Sequence, residues 1–315
     1  MQIIISKISI VFIYISIGFI CNKLKILPEE ANNYLIPFLL DITTPCLLLS
    51  AISKCETNDN LIRNTTIVFL ISFLFFIMAA IFSIFMTRKL KTDNKSDKNV
   101  LSVAMTSSNN GFMGFPIANA VFGNTVFYYM AIQNVSLNLY LFTISLFQLN
   151  FGEEKNQSPS ISETFKSFIH PVTIISILSV IMLFCNITLP DYISNIFTEL
   201  GNITIPLSMI VVGIQLGDSN IKDLISKFNL LYTSAIKLIV IPAIFTLFIF
   251  FIPIDNDLKT SLVLTSILPT AVISVALAKK EQKNGKLMAE ALASTTLFSM
   301  ITLPIWILII SKLFP

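Results

Sequence analysis

The chain has 315 residues, 54% of them hydrophobic and only 12% charged, with a mean hydropathy of +0.80. A soluble core cannot hide that much apolar surface, so the composition excludes a water-soluble globular protein and asks for lipid as solvent. The net charge of +3 comes from cations in short clusters between apolar runs, which suits membrane topology and argues against a nucleic-acid surface.

Apolar runs long enough to cross a hydrocarbon core of about 30 Å recur from end to end. They predict an all-α integral membrane protein with ten transmembrane helices, near residues 3–21, 33–53, 64–87, 100–122, 126–149, 168–188, 192–216, 229–252, 260–278 and 291–313. Each span must satisfy its own N–H and C=O groups in lipid, and these are too long for barrel strands. The first run holds Lys7 near its start and no small-residue cleavage site follows, so it reads as a retained helix. Cys21, Cys46, Cys55 and Cys185 lack any CxxC or ligand-like spacing and read as small apolar fillers, with no metal and no cofactor implied.

Lys and Arg are distributed unevenly between the two sets of loops. Fifteen lie after helices one, three, five, seven and nine, against five on the other side. The odd-numbered loops are therefore predicted to be cytoplasmic, with both termini outside the cell membrane. The most polar connector, within Gly152–Phe165, divides the chain into a repeat over 1–152, a cytoplasmic connector over 153–167 and a second repeat over 168–315. Five helices per half require the second copy to be inverted, a common transporter plan. Weak internal similarity agrees: Pro45 in helix two matches Pro206 in helix seven, and Thr106-Ser107 ahead of Pro116 matches Thr265-Ser266 ahead of Pro269.

Helix four reads TSSNNGFMGFPIANAVFG from Thr106 to Gly123. Asn109, Asn110, Gly111, Gly114 and Pro116 place amides, two helix-weakening glycines and a proline near the middle of a span, which predicts an interruption there. Exposed peptide groups at membrane depth need protein, water or a ligand, and a half-helix N-terminus offers a positive dipole end to an anion. Close helix packing and a simple proline kink are the alternative. Helix nine offers Ser266, Pro269 and Thr270 at the corresponding place.

Buried charge is sparse, and each such charge costs about 2.5 to 3.5 kcal/mol at a helix centre on insertion scales. Asp41 stands four residues before Pro45 and is a candidate proton carrier; Lys237 stands five before Pro242. Lys237 can attract an anionic substrate, pair with Asp41 or snorkel towards a head group. Asn134 and Asn138 share a face of helix five and either line a polar cavity or bond neighbouring helices. His170 before Pro171 reads as an interfacial cap of helix six, and Glu199 as solvated.

With these residues in view, the sequence resembles the auxin efflux carrier family, including its bacterial malate-permease-like members. The most specific pieces are NNGFMGFPIANAVFG at 109–123 and ALASTTLFSMITLPIW at 291–306, with PLSMIVVGIQL at 206–216 and the HPV at 170–172. The resemblance implies a scaffold of helices one, two, six and seven and a transport unit of helices three to five and eight to ten, in which interrupted helices four and nine cross. It also implies organic-anion transport, with crossover positions at Asn109, Asn110, Pro116 and Pro269 and polar fifth-helix positions at Asn134 or Asn138. Where helix nine of the family can hold an asparagine, this chain has Ser266 and Thr270.

The predicted function is a secondary transporter of small carboxylates working by alternating access, with membrane lipid as its surroundings and a homodimer left open. No Walker A motif supplies ATP drive. A channel or sensor on a carrier scaffold is the second class. An intramembrane enzyme is a third, disfavoured because Asp41 has no second carboxylate or nucleophile–base pair beside it.

Overall fold

The computed structural model describes residues 2–28, 30–53, 59–152, 171–185, 187 and 189–315. The connector over 153–167, Lys54, Cys55 and His170 lie outside the described residues. Among the described residues every regular element is a helix, as expected where each segment must pair its own peptide groups. Six helices among the described residues are long and apolar enough to cross a membrane: Ala31–Ser50, Arg63–Lys89, Asn124–Leu149, Asp191–Gly217, Phe228–Phe250 and Gly285–Leu313. The chain is thus a multi-pass membrane protein.

Six is fewer than the ten predicted, and the four remaining stretches show why. The first contributes a shorter apolar stretch, Ser9–Lys23. The sixth is helical over Pro171–Phe184, at the edge of the described residues. The fourth and ninth are each divided, into Lys95–Thr106 followed by turns from Asn110, and into Asn256–Ile267 followed by Ile273–Lys280.

Prolines shape three of the spans in the same way. A widened π-turn ends two residues ahead of a proline at Leu39–Thr43 before Pro45, Asn110–Gly114 before Pro116 and Ile236–Val240 before Pro242. Proline donates no N–H and its ring crowds the carbonyl four residues back. Spacing the preceding bonds at i→i+5 relieves that crowding while the rod stays continuous.

Glycine brings helices of the two halves into backbone contact. A Cβ on Gly213 would overlap the Ile15 carbonyl oxygen, and one on Gly18 would overlap the Ile210 carbonyl, so Gln2–Lys23 and Thr204–Gly217 touch along their main chains. Small residues allow such approach where lipid gives no hydrophobic drive to association. Polar side chains knit the third to fifth stretches. Gln148 donates to Ser83 and Ser102, each at 3.1 Å, and accepts from the Tyr140 hydroxyl at 2.7 Å. All four are buried, so the network saturates groups that lipid could not.

Candidate functional site

The helix Lys95–Thr106 starts at Asn94, whose side chain accepts from the Ser96 N–H, and stops at Thr106, after which Ser107 turns extended. Ser107, Ser108 and Asn109 are not helical. The helix Asn256–Ile267 stops before Leu268, also extended, and helical structure resumes at Ile273.

The two breaks meet. The Asn109 N–H donates to the Pro269 carbonyl at 2.9 Å. Ser108 donates through its hydroxyl to the Thr265 carbonyl at 2.6 Å, and Thr270 through its hydroxyl to the Ala104 carbonyl at 2.7 Å. The Ala271 N–H reaches the Ser107 hydroxyl at 3.4 Å, and the Thr270 N–H the Thr295 hydroxyl at 3.2 Å. These bonds take up carbonyls and N–H groups that interrupted helices leave without internal partners.

The interruption covers 107–109, at the very start of the segment where the sequence predicts it. Gly111 and Gly114 sit inside the π-turn after the break, and Pro116 lies in the buried helical turn Phe115–Ile117. Asn109 opens this second segment, its side-chain oxygen accepting from the Phe112 N–H at 3.3 Å. Gly114 packs where a Cβ would stand 2.7 Å from Leu268 and 2.8 Å from Met130, so its smallness serves packing between the two broken stretches. The serines and the unlike φ/ψ at Ser107 and Asn109 carry the break, and the glycines and proline shape the segment beyond it.

Beside the meeting point lies a cavity of about 260 Å³. One wall is Ser108, Asn109, Asn110, Gly111 and Phe112, a second is Asn134, Leu137, Asn138, Leu141 and Phe142, a third is Ala271, Val272, Ile273 and Ala276, and Ile36 and Leu40 close it. No charged side chain among the described residues lines it. Asn110 is fully buried and neither its amide nitrogen nor its oxygen has a partner among the described residues. A buried amide without partners costs about 1–3 kcal/mol, so this one marks a place where a ligand or water supplies what the protein does not.

Of the residues the sequence singles out, Asn109, Asn110, Gly111, Asn134 and Asn138 come together on this cavity. Pro269 and Thr270 lie at the meeting point behind it and bond to the opposite break. Ser266 is buried and its hydroxyl donates to Val263 within its own helix. Lys237 is fully buried away from the cavity lining, with its ammonium 3.4 Å from the Thr106 carbonyl. It neither snorkels nor pairs with Asp41, which is exposed on the second stretch. Glu199 is exposed, Cys21 and Cys46 are free thiols of half-buried and buried position, and Cys185 is free and exposed. No group of metal-ligating side chains occurs among the described residues.

Ser108 and Thr295 are the participants that sequence reasoning passed over. Both lie in motifs it singled out, beside Thr106-Ser107 and within ALASTTLF, and both cap backbone groups more than twenty residues away in sequence.

Similar proteins carry the same description across nearly their whole length. An uncharacterized transporter of Methanocaldococcus jannaschii is 25% identical over 304 residues, covering 94% of this chain and 96% of that protein. The uncharacterized transporter YfdV of Escherichia coli (strain K12) is 20% identical over 301 residues, covering 94% of each. An uncharacterized transporter of Methanothermobacter thermautotrophicus is 22% identical over 305 residues, covering 94% of this chain and 95% of that one. The family model described as membrane transport protein, of auxin efflux carrier type, matches residues 3–307, and the chain belongs to that family.

Proposed function

We propose that the chain is a secondary carrier of small organic anions, carboxylates in particular, and that the substrate binds in the asparagine-lined cavity where the two breaks meet. The unpartnered amide of Asn110 carries this reading. Asn109, Asn134 and Asn138 offer further amides, and the segments starting at Asn110 and Ile273 turn their N-terminal ends, the positive ends of their dipoles, towards the same space. Gly111 lets the ligand approach the backbone, Gly114 and Pro116 hold the second segment, and Pro269, Thr270 and Ser266 hold the other break.

Ten spans in two inverted repeats, with helices four and nine crossing, give this arrangement its architecture. Two further clefts of about 320 and 370 Å³ fit a moving seam. Each has one wall from the first or seventh stretch, at Ile15, Phe19 or Gln215, and the other from the ninth or tenth, at Val275, Leu292, Leu297 or Met300. A scaffold of helices one, two, six and seven against a transport unit of helices three to five and eight to ten accounts for loose packing along that line. With odd loops cytoplasmic and both termini outside, the cavity opens towards the cytoplasm.

Counterflow of labelled carboxylates in proteoliposomes tests the reading. Saturable exchange that Asn110→Ala and Pro116→Ala abolish, with both variants inserted, supports it; full transport by both variants defeats the site, and unitary currents would make the protein a channel. Asp41 is the proposed proton carrier, and a flux whose pH dependence survives Asp41→Asn excludes it.

A further inference from the structure

Lys237 carries its amine into the protein interior, fully buried on the widened turn Ile236–Val240. No carboxylate lies within ion-pair distance of it among the described residues. Its ammonium donates to the Thr106 carbonyl, the last of the helix Lys95–Thr106. In an unbroken helix that oxygen would accept from the N–H of Asn110; past the break it is one of the orphan acceptors at the negative end of the helix dipole.

The neighbouring acceptors are served by neutral groups. A threonine hydroxyl covers Ala104 and a serine hydroxyl covers Thr265. A hydroxyl would satisfy Thr106 as well, at much lower desolvation cost than an ammonium with no counter-ion. A lysine at this place is explained if its charge has a use, and the use the geometry offers is to balance the negative dipole end of the half-helix that stops at Thr106.

We propose that Lys237 is a tethered cation. Its ammonium occupies a monovalent-cation site at the C-terminal end of the first half-helix, formed by the Thr106 carbonyl and the helix dipole. By filling the site from within, it frees the meeting of the two breaks from dependence on any alkali ion. Shortening the side chain uncovers the site, and a free cation of ammonium size can then refill it. None of this depends on which molecule is carried, or on transport at all.

The test is thermal melting of the purified full-length chain in detergent, in choline, sodium, potassium or n-propylammonium chloride. Wild type should melt alike in all four. Lys237→Met, which keeps the bulk and removes the charge, should melt lower by roughly 5 °C or more and recover in none. Lys237→Ala should fall similarly and regain at least half of the loss, saturably, with potassium or n-propylammonium but not with choline or 1-propanol. A saturable sodium or potassium shift in wild type overturns the proposal. So do a Lys237→Met variant that melts with wild type, and a Lys237→Ala variant that no cation recovers or that 1-propanol recovers equally. If neither variant folds, the wild-type series decides alone: flat supports the tethered cation, and saturable cation dependence refutes it.

Discussion

The hydroxyl of Thr270 donates to the carbonyl of Ala104 at 2.7 Å, across 166 residues of chain. Ser108 does the same for Thr265 at 2.6 Å in the opposite direction. Each donor lies just beyond the end of one broken helix and each acceptor two residues before the end of the other, so the two bonds are near-mirror partners. The need is covalent in origin on one side and conformational on the other. The helical donor for Thr265 would be the N–H of Pro269, which does not exist, and that for Ala104 would be Ser108, which has left the helix.

Removing either hydroxyl leaves a buried carbonyl unpaired at a cost of about 1–3 kcal/mol. Thr270→Val and Ser108→Ala should therefore each lower the melting midpoint in detergent, by roughly 2–4 °C per kcal/mol. Because the bonds hold the same contact from both sides, the double variant should depart from the sum of the singles. Strict additivity, or midpoints equal to wild type, would show that the hydroxyls are spectators.

Two glycines should respond in opposite ways to the same added methyl group. At Gly213 the Cβ would meet the Ile15 carbonyl and the backbone of Phe19, which cannot yield without separating the helices. Gly213→Ala should melt several degrees lower or fail to accumulate, the loss of about 2 kcal/mol or more that overpacking brings. At Gly111 the nearest atom is a Leu40 methyl at 3.9 Å, and the residue lies in a helical turn where alanine is favoured. Gly111→Ala should insert and melt like wild type while narrowing the cavity, so counterflow should slow most for the bulkiest carboxylates. Equal melting of both variants would remove the backbone contact as the reason for Gly213.

Hydropathy made the six long apolar helices legible, because a run of apolar residues bounded by charges is a local signal. Asn109, Asn110 and Pro269 were also visible, since amides and prolines deep in lipid are anomalous wherever they occur. What escaped was fixed by distant partners. The break at Ser107 to Asn109 rather than at Gly111 or Pro116 depends on acceptors in the ninth stretch, and nothing local distinguishes Ser108 from an ordinary buried serine. Lys237 presented three open readings because its reach is set by the π-turn ahead of Pro242 and by where the fourth stretch stops. The tolerance of Pro116 within a helical turn follows from the same device, the widened turn that precedes it.

The amide of Asn110 separates stability from function. Fully buried and with both polar atoms unpaired among the described residues, it weakens the fold by the desolvation of a group that makes no bond there. Asn110→Leu removes that penalty with a side chain of related shape, beside Leu137 and Leu141 on the same cavity. The variant should melt at or above wild type, by up to about 1–3 kcal/mol of stability, and should lose counterflow, since the ligand then meets an apolar wall. Melting curves and flux on the same preparation check both halves. A variant that melts lower yet transports normally would mean that Asn110 is satisfied in the working protein by something other than substrate, and that the binding amide lies elsewhere, at Asn134 or Asn138.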